Sequence, residues 1–359
     1  MKSHELISSE QLLRKLITGK AHVIDVRAPV EFLAGSIPGS INLPILTDEE
    51  RTLVGTVYKQ QGSAQAIALG HELVQGNTKA LRLQAWVQEV QSNPENSFVA
   101  CFRGGMRSQL AQQWLSEQGI SISRLAGGYK KMRQLLIDET ISFCQKQNLL
   151  ILTGKTGAGK TQLLEKLKSY PHVNLEQLAR HRGSAFGAYK TSQPTQIDFE
   201  NTLSLALSKI KLKEPTAPVL VEDESRLIGS LVQPESFFHL LRQSPVLILN
   251  ESLEVRIENT FQEYVASRIQ DPDLFLDLQY SLQKIKSRLG GLRYQEISQD
   301  MRQAEKSFKE NQDLSSSRIW IEKILSWYYD PAYDKSLAKR KPRILADGNR
   351  DHILAYLNN

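Results

Sequence analysis

Two consecutive α/β domains, the second ending in a helical part, are the fold the sequence predicts. Two strand–loop–helix units carry that prediction. In the first, the apolar run Ser97-Phe98-Val99-Ala100 delivers Cys101-Phe102-Arg103-Gly104-Gly105-Met106-Arg107-Ser108, a loop rich in glycine and arginine. Leu110, Ala111, Trp114 and Leu115 then keep helical spacing. In the second, Leu149-Leu150-Ile151-Leu152 feeds Gly154-Lys155-Thr156-Gly157-Ala158-Gly159-Lys160-Thr161, which matches the phosphate-binding pattern G-x-x-x-x-G-K-[ST] at every fixed position. Helix continues from Gln162 to Lys168. A length of 359 residues gives room for both units, since domains usually hold about 100–200 residues.

The remaining elements follow in the same alternation. Ser9 caps a helix through Leu12, Leu13 and Leu16 that ends near Gly19. Val23-Ile24-Asp25-Val26 reads as a buried strand, followed by a turn-rich stretch through Gly35, Pro38 and Gly39. Leu83, Trp86, Val87 and Val90 recur at helical spacing, and Pro94 marks the stop. A helical segment from about Lys130 to Lys146 joins the two domains. Beyond the glycine loop, Val219-Leu220-Val221 and Val246-Leu247-Ile248-Leu249 are strand candidates. Helical periods then dominate, first Ile257, Phe261, Tyr264 and Val265, later a stretch ending at Gly290-Gly291. Without an internal repeat or low-complexity tract, two α/β domains are the economical reading.

Composition narrows the function. A hydrophobic share of 40% and a charged share of 23% are ordinary for a soluble globular protein. No apolar run approaches the roughly 20 residues that cross a bilayer, and the start lacks a secretory signal, so no membrane and a cytoplasmic location are expected. Cys101 and Cys144, the only cysteines, are too few for a disulfide framework and suit a reducing compartment. A net charge of +6 permits nucleic-acid binding without establishing it.

The cysteine loop carries the first chemistry. Thiolate is the reactive form of cysteine, and inward-pointing N–H groups, arginines and a helix N-terminus favour it. The same donors bind an oxyanion beside the sulfur. Gly104 and Gly105 let the backbone curl. Arg103 adds a cation, and Arg107, in C-x5-R spacing with Cys101, can close a ring of donors around a tetrahedral anion. The plainer reading, a core cysteine at a strand end, fits RGGMRS poorly. Cys144 has no such context and reads as a packed or surface residue.

The glycine loop carries the second. Backbone N–H groups around Gly154, Gly157 and Gly159 point inward, Lys160 neutralises phosphate charge, and Thr161 can reach a magnesium ion. In Val221-Glu222-Asp223-Glu224, Asp223 or Glu222 can hold the metal through water, a solvated acidic turn being the alternative. Ala179-Arg180-His181-Arg182-Gly183-Ser184-Ala185-Phe186-Gly187 reads as an anion-facing loop or an ordinary surface loop. Glu224-Ser225-Arg226 and Asn250-Glu251 follow strand ends, where α/β proteins place ligand contacts. Trp327, Tyr328, Tyr329 and Tyr333 precede Lys335, Lys339, Arg340, Lys341 and Arg343. Such rings and cations can stack bases and hold phosphates, with a solvated basic face as the alternative.

Ile24-Asp25-Val26-Arg27, Glu31-Phe32 and Gly35-Ser36-Ile37-Pro38-Gly39-Ser40-Ile41-Asn42-Leu43-Pro44, together with the cysteine loop, resemble the rhodanese family over about the first 130 residues. The resemblance implies a rhodanese-like α/β domain at 1–135, a helical linker at 136–147 and a P-loop NTPase-like α/β domain with a helical C-terminal region at 148–359. Rhodanese-like domains carry sulfur or selenium on the cysteine or, in one branch, act as phosphatases. The C-x5-R loop is one residue longer than the usual sulfurtransferase loop and resembles the branch that admits bulkier, phosphate-like groups.

With CFRGGMRS, GKTGAGKT, RHRGSAFG, Phe199-Glu200-Asn201 and VEDESRLIG (Val221 to Gly229) in that order, the whole chain resembles the tRNA 2-selenouridine synthase family. That resemblance implies a transferase that replaces sulfur by selenium in the wobble 2-thiouridine of tRNA, through an S-geranyl intermediate. Geranyl diphosphate and selenophosphate are the implied co-substrates, Mg2+ an accompanying cation, and the selenophosphate-producing enzyme a partner. Cys101, Arg103 and Arg107 are then catalytic, Gly154, Gly157, Gly159, Lys160 and Thr161 hold the diphosphate, and Thr161 and Asp223 hold the metal. Lys339, Arg340 and Lys341 then meet the tRNA. The pattern leaves open whether the phosphate loop holds geranyl diphosphate or a nucleotide. Rival readings are a nucleotide-dependent kinase or ATPase with a rhodanese-like module, a C-x5-R phosphatase fused to a nucleotide-binding module, and a non-catalytic tRNA-binding protein.

Overall fold

The computed structural model describes residues 5–167, 170–184, 186–187 and 191–358. Ala185 of the RHRGSAFG motif and Lys168, the expected end of the glycine-loop helix, lie outside the described residues. The chain divides into two units, one made of Met1–Phe143 and Pro194–Lys213, the other of Cys144–Gln193 and Glu214–Asn359.

The first unit is built on a parallel sheet. Its strands are β1 (Leu6–Ile7), β2 (His22–Asp25), β3 (Ile41–Asn42), β4 (Ser97–Ala100) and β5 (Ser123–Leu125), in the order β1-β5-β4-β2-β3. Every residue of the central strand β4 is buried, because helices cover both faces of a parallel sheet. Side chains alternate along it: Phe98 and Ala100 join one core with Leu12, Met132 and Leu136, while Val99 and Cys101 join the other with Trp86, Trp114 and Leu115. The first helix, Ser9–Ile17, starts one residue earlier than its sequence suggests. Ser8 is the cap: its hydroxyl accepts from the Gln11 N–H at 3.2 Å, and the Gln11 side chain accepts from the Ser8 N–H at 3.0 Å. Ser9 is buried inside the first turn.

A pair of buried charges organises the loop after β2. Arg27 and Asp25 are 1% and 0% exposed and lie 2.7 Å apart. The rest of the Arg27 guanidinium donates to the carbonyls of Glu31 (3.1 Å) and Gly35 (2.9 Å) and lies 4.0 Å from the centre of the Tyr129 ring. Helix Gln196–Lys213 completes this unit, although it follows the glycine loop in sequence. Its Phe199 is buried, Asn201 donates to the Ser36 carbonyl at 2.7 Å, and Asp198 accepts from the Ser36 N–H at 2.8 Å. Arg133 donates to Asn201 at 2.7 Å and pairs with Glu200. Phe199-Glu200-Asn201 is thus a brace for the turn at Gly35-Ser36.

The second unit holds β6 (Leu149–Thr153), β7 (His172–Val173), β8 (Val219–Glu222), a short ribbon of β9 (Leu227–Ile228) and β10 (Leu231–Val232), β11 (Val246–Leu249) and β12 (Ile344–Gly348). The main sheet is parallel, ordered β12-β11-β6-β8-β7. Between β11 and β12 the chain makes a helical part, from Leu253–Tyr264 to Asp330–Arg340, around a core that includes Phe261, Leu278, Ile297 and Trp320. Gly290 breaks helix Leu274–Leu289 from Gly291–Asn311, at φ +89°. Among the described residues no helix is long and apolar enough to cross a membrane.

Replacing Arg27 by leucine leaves Asp25 buried without its cation. Arg27→Leu is expected to lower the unfolding free energy by about 3–5 kcal/mol, read from urea melts. An Asp25→Asn/Arg27→Leu double variant should recover part of that loss; a single variant as stable as the parent would remove the pair from its organising role.

Candidate functional site

Two sites emerge, one in each unit. In the first, β4 ends at Cys101, whose residue is 2% exposed. Its sulfur lies 3.1 Å from the Ser108 hydroxyl, which in turn donates to the Gly105 carbonyl at 3.0 Å. Helix Met106–Glu117 starts at Gly105 with no side chain capping it, so its first N–H groups stay open to an anion. Gly104 takes a left-handed φ of +65°. The loop is pinned from outside: Tyr129 N–H donates to the Cys101 carbonyl at 2.8 Å, Lys130 N–H to that of Phe102 at 2.9 Å, and Arg124 to that of Gly104 at 2.5 Å. Gly128 sits hardest against it. A Cβ there would lie 2.3 Å from the Cys101 carbonyl oxygen and 2.4 Å from the Gly104 nitrogen.

Arg107 is held by Glu31 through two hydrogen bonds, 2.5 and 3.0 Å. Burial alone would raise Glu31, but the Arg107 hydrogen bonds and charge, the Ala28 N–H and Arg51 outweigh it and keep the carboxyl below its ordinary range. Arg107 therefore closes the loop as half of an ion pair. Arg103 is exposed at the rim, 5.9 Å from the Phe102 ring centre. Cys144, half-buried, has its thiol pushed up by burial.

In the second unit, β6 runs into the phosphate loop. Lys160 donates back to the Gly154 carbonyl at 3.0 Å, across the loop it closes. The glycines are required by close packing: at Gly157 a Cβ would meet the Arg256 carbonyl at 2.5 Å, and at Gly154 that of Leu249 at 2.5 Å. Gly159 precedes the helix in a left-handed turn at φ +84°. Helix Leu253–Tyr264 braces the loop, with Arg256 donating to the Thr156 carbonyl at 3.0 Å and Asn259 to that of Gly157 at 2.8 Å. A cavity of about 860 Å³ opens over it, bordered by Lys160, Thr161, Glu176, Arg182, Glu263 and Tyr333.

Thr161 faces carboxylates. Its hydroxyl lies 3.1 Å from Glu222 and 3.2 Å from Glu176. Burial, and then the neighbouring Glu176 charge, push Glu222 up to about 8. Glu224 rises well above the ordinary range, again by burial first and then by Glu176 and Glu222. Between about pH 4.5 and 8 the folded chain holds a proton on Glu222 that the unfolded chain has released, so this carboxyl erodes stability as pH rises through that window. Asp223 points elsewhere: it accepts from Thr153 at 2.7 Å and from Arg340 at 2.8 Å. Glu222 and Glu176, and not Asp223, are thus the carboxylates beside Thr161. Glu176 was missed in the sequence, since an isolated glutamate on the short helix Leu175–Ala179 carries no local signal.

The loop after that helix borders the same cavity. Arg182 pairs with Glu263 at 2.8 Å, Gly183 N–H donates to Glu176 at 2.7 Å, and Ser184 bonds Tyr264 at 3.0 Å. The basic trio near the C-terminus separates. Lys339 and Lys341 are exposed, while the Arg340 side chain is 4% exposed and donates to Asp223 and to the carbonyls of Leu241 (2.6 Å) and Arg242 (3.3 Å). Arg340 is a structural cation of this unit.

Comparison with known proteins agrees with both halves. The family model described as tRNA 2-selenouridine synthase AAA domain matches residues 147–359, and that of the rhodanese-like domain matches residues 8–135. A tRNA 2-selenouridine synthase of Nitrosomonas eutropha is 44% identical over 378 aligned residues, covering 98% of this chain and 97% of the relative. Its counterpart in Bdellovibrio bacteriovorus is 45% identical over 360, covering 94% of each.

Gly128→Ala forces the cysteine loop to move. In a Cys144→Ala background, alkylation of Cys101 by iodoacetamide is expected to quicken roughly tenfold or more as the buried thiol opens by local unfolding. Unchanged reactivity together with an unchanged melting point would show that the loop does not depend on this contact.

Proposed function

The chain belongs to the tRNA 2-selenouridine synthase family, and from that premise we propose that it converts the wobble 2-thiouridine of tRNA into 2-selenouridine through an S-geranyl intermediate. Geranyl diphosphate and selenophosphate are the co-substrates. One observation supports this most: a buried cysteine at an uncapped helix N-terminus and a phosphate loop closed by its own lysine occur in the same chain. The fit is to a cytoplasmic enzyme, supplied with selenophosphate by the enzyme that makes it.

In the first step the thiouridine sulfur displaces diphosphate from geranyl diphosphate. The charge that develops falls to the loop of Gly154, Gly157 and Gly159 and to Lys160. Sulfur on C2 is a poor leaving group, and alkylation lets it depart as a thiol. In the second step selenophosphate bound beside Cys101 brings its selenium, still at the selenide level, to C2: the Se–C bond forms as geranyl thiol leaves, and water then takes the phosphoryl group from selenium. Selenophosphate is a tetrahedral anion that suits the open N–H groups of the C-x5-R loop, with Arg103 meeting it at the rim and Arg107 locking the loop. Overall, S-geranyl-2-thiouridine, selenophosphate and water give 2-selenouridine, geranyl thiol and phosphate, with no net change of oxidation state.

The residues fit a Mg2+ ion in the second site. One Glu222 oxygen is buried without a hydrogen-bond partner beside the Thr161 hydroxyl. Among the described residues no cluster of three or more His, Cys, Asp or Glu forms a metal cage. Mg2+ keeps most of its waters and binds through one or two protein oxygens plus substrate phosphate. Thr161 and Glu222 would hold it, and it would neutralise diphosphate charge. Lys339 and Lys341 would meet tRNA phosphates.

Two mutants separate the steps. Cys101→Ala is expected to abolish selenium incorporation while S-geranyl-2-thiouridine accumulates, and Lys160→Ala to slow geranylation roughly 100-fold or more. Mass spectrometry of tRNA nucleosides distinguishes them, and identical profiles would end the division of labour. ATP turnover unaffected by Cys101→Ala, with no modified nucleoside, would favour the kinase or ATPase reading.

The tRNA surface has its own test. Lys339→Ala/Lys341→Ala should weaken tRNA binding about tenfold at low salt and lower the salt slope by about two, with Arg340 left in place to keep the fold. Equal affinity and slope would move the tRNA to another face.

A further inference from the structure

We propose that an apolar cavity beside the cysteine loop holds the aliphatic chain carried on the substrate sulfur while the nucleoside is at Cys101. This rests on the S-alkyl intermediate proposed above and assigns it a place.

The cavity has a definite origin. Helices Asp48–Gln61 and Ser63–Leu73 form a hairpin that buries little of itself: the first has no buried residue and the second only Ala66. Beneath it lies a space of about 750 Å³, within the range of about 300–1,000 Å³ in which proteins hold small molecules. Val54, Ile67, Val74, Leu110 and Trp114 supply apolar wall. Val74 and Trp114 belong to the core cluster that also contains Cys101, and Val54 and Leu110 pack against it, so the cavity continues that core outward. Unfilled apolar space forgoes stabilisation, and a chain of matching chemistry restores it.

One end of the cavity is charged, lined by Glu31, Arg51 and Arg107. Arg107 and Met106, which also lines the cavity, are residues of the cysteine loop itself. The arrangement fits a molecule with a polar head at the loop and a branched hydrocarbon tail running under the hairpin. Lys59 and His71, on the two helices of the hairpin, also line the cavity. Gly55 and Gly70, both lining residues, have open space beside them: a Cβ built on either meets nothing within 4 Å.

That open space supplies the test. Gly55→Leu adds an apolar side chain at a cavity-lining position where a Cβ meets nothing within 4 Å, and leucine favours helix over glycine, so its melting temperature should match or exceed the parent's. The full chain is titrated by calorimetry with S-geranyl-2-thiouridine and S-methyl-2-thiouridine nucleosides. The parent should bind the geranyl form at least about 100-fold tighter, since each buried methylene is worth about fourfold. Gly55→Leu should erase that preference. With an anticodon stem–loop carrying S-geranyl-2-thiouridine and selenophosphate, it should lower kcat/KM for selenouridine at least tenfold. Val54→Asp, at a half-buried wall position, gives a second variant should the first fail to fold. Equal affinity of the parent for the two nucleosides, or undiminished turnover by both variants, overturns the cavity assignment while leaving the reaction in place. A parent that makes neither S-geranyl-2-thiouridine nor 2-selenouridine overturns the reaction as well.

Discussion

The buried Asp25–Arg27 pair is the constraint on which the first unit depends. Two charges removed from water persist only if every donor and acceptor finds a partner. Arg27 meets that demand by reaching the carbonyls of Glu31 and Gly35 and by lying on the Tyr129 ring. Two of these contacts lead to the cysteine loop. Tyr129 N–H donates to the Cys101 carbonyl, and Glu31 holds Arg107. Satisfying one buried guanidinium therefore fixes both ends of the C-x5-R loop.

The second unit repeats the device with other residues. Arg256 donates to the phosphate loop at Thr156 and pairs with Asp330 at 2.5 Å, and Arg340 pairs with Asp223 beside Thr153. These side chains are 5% and 4% exposed, so removing either would strand a carboxylate or a loop carbonyl. The helical part between β11 and β12 is therefore a component of the phosphate site. Its helix Leu253–Tyr264 supplies the surface against which Gly157 has no room for a Cβ.

Much of this was legible in the sequence, for reasons that differ by element. Strands β4, β6, β8 and β11 stand out because a sheet covered on both faces needs unbroken apolar runs. Both loops stand out because backbone approach demands glycine at fixed positions, as at Gly104 and Gly157. The roles of Arg340 and Phe199-Glu200-Asn201 were not legible. Arg340 lies in a basic run that reads as a nucleic-acid face, yet its carboxylate partner is 117 positions away. The Phe199 to Asn201 triplet follows the phosphate loop and closes the other unit, a non-local pairing with no signature in periodicity. Ser8 and Ser9 differ by one step in the first turn, and only capping geometry separates them.

Glycine shows most clearly why the sequence gives half of the answer. Gly128 and Gly55 are the same letter under opposite constraints. Around Gly128 the cysteine loop approaches so closely that a single carbon would collide with backbone on two sides, so the residue is small because something is there. Around Gly55 an added carbon would meet nothing within 4 Å, so the residue is small with open space beside it. The first condition is a rule of backbone geometry and recurs with recognisable neighbours, as in RGGMRS. The second, open space at a cavity-lining position, leaves no pattern along the chain, since apolar walls such as Val54 and Ile67 have the composition of any core. A reaction that needs an anion cradle and an apolar slot side by side would thus announce the cradle in its motif and conceal the slot, and the charged end shared through Arg107 is where the two meet.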